Sequence, residues 1–325
     1  MTDSLHAFME NIIDYAGLFP PADLPMEASI RNYAEYRNTD DAWMLSRFII
    51  PWDRLTELKN YREELNEEGP PYDFSVLGSK KDTVPDFLLM MEALSESLRI
   101  VHEEHGRRMT TGMLEIKLPD EAAFSHNEEL IREVMDETAG RLNEASPTVP
   151  GWVFYESYFE KSWKKDIEAA VEAIIQHNEK GSGDPKAGLK IRCGGVRAEQ
   201  FPTLEQLSYT LITARDSGVP VKCTAGLHHP VRIYHDSVQT KMHGFLNVFG
   251  GGMLAHVHGL GSDELTEILR EEDPEAFAFT GEGFSWGERS VPTEEIRRLR
   301  SHALISFGSC SFDEPREDLR KLGHL

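Results

Sequence analysis

The stretches LKIRCGG at residues 189–195 and VKCTAG at residues 221–226 decide the fold. Each begins with a short run in which every second side chain is apolar, and this pattern is typical of a strand that packs one face against an apolar layer. Each run ends in glycine, and a helical pattern lies between the two. Such an order predicts a strand–helix–strand unit of a parallel sheet.

The helical pattern between these strands has its own boundaries. Thr203 and Gln206 form a capping box at its start, and Leu204, Leu207 and Leu211 make an apolar stripe. We expect these residues to have structural roles only.

The same alternation of apolar runs and helical patterns continues along the chain. It predicts an α/β fold, a single (β/α)₈ barrel of the TIM type over residues 1–325, with an extended segment before the last strand. Residues 262–292 are expected to hold a helix and an aromatic, glycine-rich loop that acts as a lid or insertion. For the eighth strand Leu304–Cys310 is preferred, and 253–258 is the alternative. The other strands are predicted at Ile12–Leu18, Leu45–Ile50, Phe74–Leu77, Met113–Leu118, Trp152–Tyr155, Leu189–Cys193 and Pro220–Ala225.

Composition limits the partners. The 56 acidic and 34 basic residues give a net charge of −22, which opposes binding to nucleic acids or anionic membranes. No signal peptide or membrane-spanning run is apparent, and three cysteines far apart in the sequence suit a reducing compartment. We therefore expect a cytoplasmic protein that binds neither nucleic acid nor a membrane, and the small anionic molecule expected as its partner is inferred from the inward-facing cations below. Assembly into a homo-oligomer is compatible with these features.

Strand alternation sorts the polar residues of the two stretches. Lys190 and Arg192, and likewise Lys222 and Thr224, should point into the barrel, whereas Cys193 and Cys223 should pack under helices. Inward cations require a bound anion, a lysine that is neutral and reactive, or neutralising carboxylates such as Glu115 or Glu156. All three interpretations stay open at this point.

The two Lys-x-x-x-Gly stretches resemble class I aldolases of the deoxyribose-phosphate aldolase type. That family carries a Schiff-base lysine on strand six and a second lysine on strand seven. The resemblance covers about a tenth of the chain. It implies that Lys190 binds a carbonyl group and that Lys222, as a neighbouring cation, lowers the pKa of Lys190, although Arg192 departs from the family pattern.

A second resemblance extends across nearly the whole chain. The motifs DYAGLFPPA at 14–22, KIRCGG at 190–195 and TAGLHHP at 224–230 are similar to those of a bacterial TIM-barrel-like family without an assigned activity. It implies only that the three turns with these motifs occur together in one fold.

Polar residues of the fourth and fifth strands are candidates for proton transfer. Glu115 and Lys117 should share the interior face of the fourth strand, and Glu115-x-Lys117-x-x-Asp120 resembles the Asp-x-Lys-x-x-Asp motif of orotidine-monophosphate decarboxylase-like barrels. We interpret Glu115 and Glu156 as general-base candidates.

The turns that follow the strands carry further candidates. His228 and His229 follow the seventh strand directly, and we expect at most one of them to face the centre, because neighbouring side chains in an extended chain point apart. The glycines of these turns could present N–H groups to a phosphate. The predicted substrate-binding residues are Arg192, Thr224, His228, His229, Asp14, Lys117, Gly194, Gly195 and Gly226.

The leading hypothesis is an enzyme that acts on a small anionic carbonyl compound, a phosphorylated sugar or a keto acid, through a lysine imine and without a cofactor. Its catalytic residues would be Lys190, Lys222, Glu156 and Glu115. The runner-up is a hydrolase or isomerase with a divalent metal such as zinc held by His228 or His229 and carboxylates. A third hypothesis is a barrel that binds a ligand without catalysis.

Overall fold

The structure is a computed structural model that describes residues 1–65, 69–145, 150–156, 158–180 and 185–325. None of the helices in these ranges combines the length and the apolar content needed to cross a lipid bilayer.

Eight strands form a closed barrel in the order β1-β8-β7-β6-β5-β4-β3-β2. The predicted fold class is therefore confirmed, and every predicted strand overlaps an observed one. The eighth strand is the preferred one, since the alternative segment lies in the helix Gly251–His258. The strands are β1 Ile13–Tyr15, β2 Leu45–Pro51, β3 Tyr72–Leu77, β4 Met109–Lys117, β5 Trp152–Glu156, β6 Lys186–Arg192, β7 Val221–Thr224 and β8 Leu304–Ser309.

Helices alternate with the barrel strands. The predicted capping box is present, because the Thr203 hydroxyl accepts a hydrogen bond from the Gln206 N–H at 3.1 Å. The α-helices are Asp3–Met9, Met26–Tyr36, Arg62–Leu65, Val84–His105, Asp120–Ala123, Glu128–Ala145, Trp163–Lys180, Leu204–Asp216, Gly251–His258, Ser262–Arg270, Thr293–His302 and Asp313–Lys321.

The chain divides into two compact units. The first comprises Met1–Asp23, Tyr36–Ser46 and Ile191–Leu325, and the second comprises Leu24–Glu35 and Arg47–Lys190. Each unit contains one cluster of buried lysine and carboxylate side chains.

In the second unit, strand register gathers the polar side chains on one face. Lys117 pairs with Glu156, and Glu156 pairs with Lys190, so these side chains share a face of β4, β5 and β6. The opposite face is apolar and covered by helices. For example, the helix Trp163–Lys180 buries the apolar side chains of Ile167, Val171 and Ile174. Complete burial of each such side chain stabilises the folded state by about 1.5–3 kcal/mol.

In the first unit, β8 lies between β1 and β7. Asp14 pairs with Gly308, and Gly308 pairs with Thr224. Residues at these positions share the face of Lys222. On the other face Cys223 pairs with Phe307, which stacks on Phe245 at 5.4 Å between ring centroids.

The segment before the last strand differs from the expected glycine-rich loop. It forms a three-stranded antiparallel sheet of Phe277–Phe279, Gly283–Trp286 and Arg289–Pro292. The reason is that its aromatic residues have a partner surface. Phe284 is fully buried, and its ring centroid lies 5.3 Å from that of Phe8 in the first helix.

Candidate functional site

Lys190 of β6 lies between two carboxylates of the second unit. Its Nζ is 2.8 Å from Glu115 Oε2 and 2.9 Å from Glu156 Oε2. All three residues are at most 4% exposed. Strand pairing explains the arrangement, since β4, β5 and β6 are neighbours whose polar positions face the same way.

Two further residues complete this lysine–carboxylate cluster. Lys117 Nζ lies 3.2 Å from Glu156 Oε1, and the Ser75 hydroxyl of β3 donates to Glu115 Oε1 at 2.7 Å. The Lys117 side chain is 32% exposed, so this end of the cluster is in contact with solvent. Two ammonium groups and two carboxylates balance in charge, which lowers the cost of burying them.

The electrostatics of Lys190 differ from the sequence expectation of a lowered pKa. Burial alone would lower the pKa of Lys190, but the charges of Glu115 and Glu156 and the hydrogen bonds to them outweigh burial and raise it above its ordinary value. That expectation is wrong for the structure at rest. Of the three interpretations, neutralising carboxylates describe the resting state, and the ammonium form predominates at neutral pH.

A cavity of about 460 Å³ opens where β3, β4 and β5 end. At this end of a barrel the loops after the strands carry the chemistry in most enzymes of this fold. Asp120 is known from the sequence motif, and Lys80 Nζ lies 2.8 Å from its Oδ2. The cavity is lined by Lys80, Asp120, Phe124, His126, Tyr158, Glu160, Lys161, Ser162 and Asp166.

Lys222 of β7 belongs to a separate cluster in the first unit. Its Nζ is hydrogen-bonded to Asp14 Oδ2, and both residues are fully buried. The Ser306 hydroxyl donates to the same carboxylate oxygen at 2.6 Å. Asp14, predicted to bind substrate, therefore holds the Lys222 ammonium in this structure.

The remaining predicted residues of β6 and β7 contact backbone. Arg192 Nε donates to Gly194 O at 2.8 Å, and the Cys193 N–H donates to Thr224 O at 2.8 Å. Gly226 has φ +74°, and a Cβ there would lie 2.9 Å from Gly194 Cα. These two glycines are thus required where the two turns pass each other closely.

Gly195 has a similar packing role. A Cβ at this position would lie 2.2 Å from Gln200 Oε1. The same amide oxygen accepts hydrogen bonds from the Val196 and Arg197 N–H groups at 2.8 and 3.2 Å. Within this turn, two donors that a phosphate would use are therefore already engaged.

His228 and His229 line one cavity of about 140 Å³ in the first unit, together with Gly195 and His235. The chain turns just before them, with Ala225 at φ 58° and Gly226 at φ 74°.

Carboxylates of the last helix hold both imidazoles. His228 Nδ1 is 3.0 Å from Glu314 Oε2, and His229 Nδ1 is 2.7 Å from Asp318 Oδ2. Burial would lower the pKa of His228, but contacts with Cys310 and Glu314 outweigh it and raise that pKa to about 9. At neutral pH His228 is therefore a cation.

The cysteines of β6 and β7 are packed as predicted. Cys193 and Cys223 are both fully buried. The pKa of the Cys193 thiol is raised by its hydrogen bond to Cys223 and by burial. Among the described residues, no three histidine, cysteine or acidic side chains are arranged so that they could hold a metal ion.

Sequence reasoning named Glu115 and Glu156 as carboxylates that could neutralise the lysines, but it missed the serines that hydrogen-bond to these clusters and the carboxylates that hold the histidines. Ser75 and Ser306 are polar residues at inward-facing strand positions, and that polarity was the available signal. Glu314 and Asp318 lie on the last helix at a spacing of four residues, which places both on one face. Asp166 gave no signal beyond its place in the first turn of a helix.

The comparisons with known proteins assign no family. No protein-family model matches the sequence, and no curated protein matches it either.

Proposed function

We propose that the chain is a lyase that forms an imine between Lys190 and a small carbonyl compound bearing an anionic group, such as a phosphorylated sugar or a keto acid. The observation that carries the proposal is the position of Lys190 Nζ, within 2.9 Å of two buried carboxylates. The resemblance of its strand to that of the class I aldolases supports the same assignment.

The carboxylates supply the proton transfers that imine formation requires. Transfer of one proton from the Lys190 ammonium to Glu156 leaves an amine that attacks the carbonyl carbon. The carbonyl oxygen leaves as water, after taking one proton from the nitrogen and one from Glu156. The product is a protonated imine, and Glu156 is again a carboxylate.

The nitrogen carries a positive charge both at the start and at the end of imine formation, first as an ammonium and then as a protonated imine. The protonated imine replaces the ammonium between Glu115 and Glu156, and these carboxylates are already oriented toward a cation. Glu115, held by Ser75 at 2.7 Å, keeps compensating this charge. An arrangement that raises the pKa of the lysine thus also favours the protonated imine, which is the electron-accepting intermediate.

Carbon–carbon cleavage follows from this intermediate in a substrate with a hydroxyl group β to the imine carbon. Glu156 removes the hydroxyl proton, a carbonyl group forms there, and the electrons of the broken bond pass to the nitrogen as an enamine. Glu156 returns its proton to the enamine carbon, which restores the protonated imine, and hydrolysis by water then releases the second product and the Lys190 ammonium. Lys117, partly exposed beside Glu156, attracts the anionic group of the substrate.

Borohydride trapping tests the proposal. The protein is incubated with a panel of phosphorylated sugars and keto acids, reduced with sodium borohydride, digested and mapped by mass spectrometry. We expect a secondary-amine adduct on Lys190 that Lys190→Met abolishes. Lys186→Met is the matched control, since Lys186 is exposed at the start of the same strand, and it should leave the adduct unchanged. No adduct on Lys190 with any compound of the panel would refute the imine.

A further inference from the structure

Three carboxylate oxygens beside the cavity of about 460 Å³ in the second unit can each accept a further hydrogen bond. Asp166 is 5% exposed and lines the cavity; among the described residues its Oδ2 accepts no hydrogen bond, and its Oδ1 has the His126 imidazole at 2.9 Å without hydrogen-bond geometry. Oδ1 of Asp120, which lines the same cavity, likewise accepts no hydrogen bond from the described residues. Buried acceptors of this kind cost free energy unless a donor reaches them.

Nitrogen groups already lie beside one oxygen of each carboxylate. Lys80 Nζ lies 2.8 Å from Asp120 Oδ2, and His126 Nε2 lies 2.9 Å from Asp166 Oδ1. Lys161 adds a second ammonium group to the lining, and burial raises the pKa of Asp166, which disfavours its charged form. Neutral donors therefore suit the remaining acceptors better than a further cation, and hydroxyl groups are neutral donors that also accept hydrogen bonds from the lysines.

An aromatic wall completes the cavity. The rings of Phe124 and Tyr158 have centroids 5.2 Å apart, and Phe124 is 36% exposed. The Tyr158 hydroxyl donates to Leu118 O at 3.3 Å, which fixes its ring. An exposed ring beside acceptors suits a molecule with an apolar C–H face and several hydroxyl groups.

We propose that this cavity binds a neutral polyhydroxylated carbon chain or ring, a polyol or a sugar, with its hydroxyls on Asp120 and Asp166 and its C–H face on Phe124. A volume of about 460 Å³ accommodates a molecule of this size. Its identification as part of the substrate of Lys190 rests on the proposed function, whereas the binding itself does not.

Calorimetric titration of the intact protein tests the binding. The probes are D-ribose, xylitol and myo-inositol, with 1,4-diaminobutane as a cationic compound of similar length. We expect the hydroxylated probes to bind and the diamine not to bind. Absence of binding by all three hydroxylated probes, or binding of the diamine alone, would overturn the proposal.

Variants separate ligand contact from a structural role. Asp166→Asn replaces one accepting oxygen by an amide NH₂ group, which donates, and should weaken binding by about tenfold, while its urea midpoint of unfolding is measured to confirm that the variant is folded. Phe124→Ala, at an exposed position, should also weaken binding. Glu172→Gln, on the exposed face of the helix that carries Asp166, is the control and should bind like the unmodified protein. Unchanged affinity in both Asp166→Asn and Phe124→Ala would refute the site.

Xylitol has no carbonyl group, so the two proposals can fail separately. Lys190→Met should still bind xylitol, because its side chain does not line the cavity. Xylitol binding without any borohydride adduct would refute the imine and leave the polyol site intact. An adduct on Lys190 without polyol binding would refute the site and leave the imine intact.

Discussion

At the scale of single residues, the buried lysines are defined by their partners. Lys222 and Asp14 are both fully buried, and Ser306 completes their hydrogen bonds. A buried ion pair gives little net stability when it forms, but removal of one partner leaves the other charge in a medium of low dielectric constant. Lys222 therefore has a structural role in the core around Asp14.

The first prediction concerns this pair. Lys222→Met should lower the free energy of unfolding by about 3–5 kcal/mol, because the Asp14 carboxylate loses its ammonium partner. Urea unfolding followed by circular dichroism measures the change.

The double variant Lys222→Met/Asp14→Asn is the control. It removes both charges and should recover a large part of the loss. If the double variant were as unstable as the single one, lost packing rather than an unpaired charge would explain the effect, and the prediction would fail.

Residue-scale patterns also show what the sequence could predict. Alternation along β4 correctly placed Glu115 and Lys117 on one face and Leu114 and Ile116 on the other. It could not predict the raised pKa of Lys190. The direction of this pKa shift depends on the distances from Lys190 to carboxylates on other strands. The spacing of residues within one strand does not encode these distances.

At the scale of elements, the last helix is joined to the turn after β7 by two histidine–carboxylate pairs. His228 contacts Glu314, and His229 contacts Asp318. The hydrogen bond from His228 lowers the pKa of Glu314, whereas contacts with Cys310 and Glu314 raise that of His228 to about 9 against burial. These ion pairs stabilise the contact between the last helix and the turn after β7.

The pH range of that stabilisation follows from the directions in which the pKa values of His228 and Glu314 are shifted. The folded-state pKa of His228 exceeds its ordinary value of 6.5, so the contribution is complete below pH 6.5 and is lost as the pH rises through about 9. For Glu314 the folded-state pKa is lowered from 4.5, so its contribution is lost on acidification. The pair therefore stabilises the fold between these limits.

We predict that the urea midpoint of the protein falls between pH 7 and pH 9.5 and that His228→Gln removes part of this fall. A midpoint measured at each pH, for both proteins, checks the result. His302→Gln is the control at an exposed histidine and should retain the full fall. Parallel profiles for the unmodified protein and His228→Gln would contradict the prediction.

The eighth strand shows why some elements are ambiguous in sequence. Residues 245–258 are almost continuously apolar because their helices are buried on several sides, and a buried helix and a buried strand then have the same composition. In the structure the helix Thr293–His302 leads directly into β8. The strands of the sheet at residues 277–292 are only three or four residues long, which is too short for their alternation to be distinguished from a loop.

At the scale of the whole molecule, the charges inside the barrel are matched, whereas the net negative charge of the chain opposes its compact state. Strands of a closed barrel bring polar side chains into close groups, and the lysines of these groups are matched by carboxylates. The excess of 22 negative charges must therefore reside in the other acidic residues, many of which are exposed. Their mutual repulsion opposes the compact state.

Salt screens such repulsion, and this leads to the last prediction. At low ionic strength the Debye length is about 30 Å, and it shortens to a few ångströms near 1 M salt. The thermal midpoint of unfolding should therefore rise by several degrees between 10 mM and 0.5 M sodium chloride, measured by scanning calorimetry. Choline chloride at equal concentration should give the same rise if screening is the cause. A midpoint that stays constant or falls with salt would show that the exposed ion pairs, which salt weakens, contribute more than the repulsion.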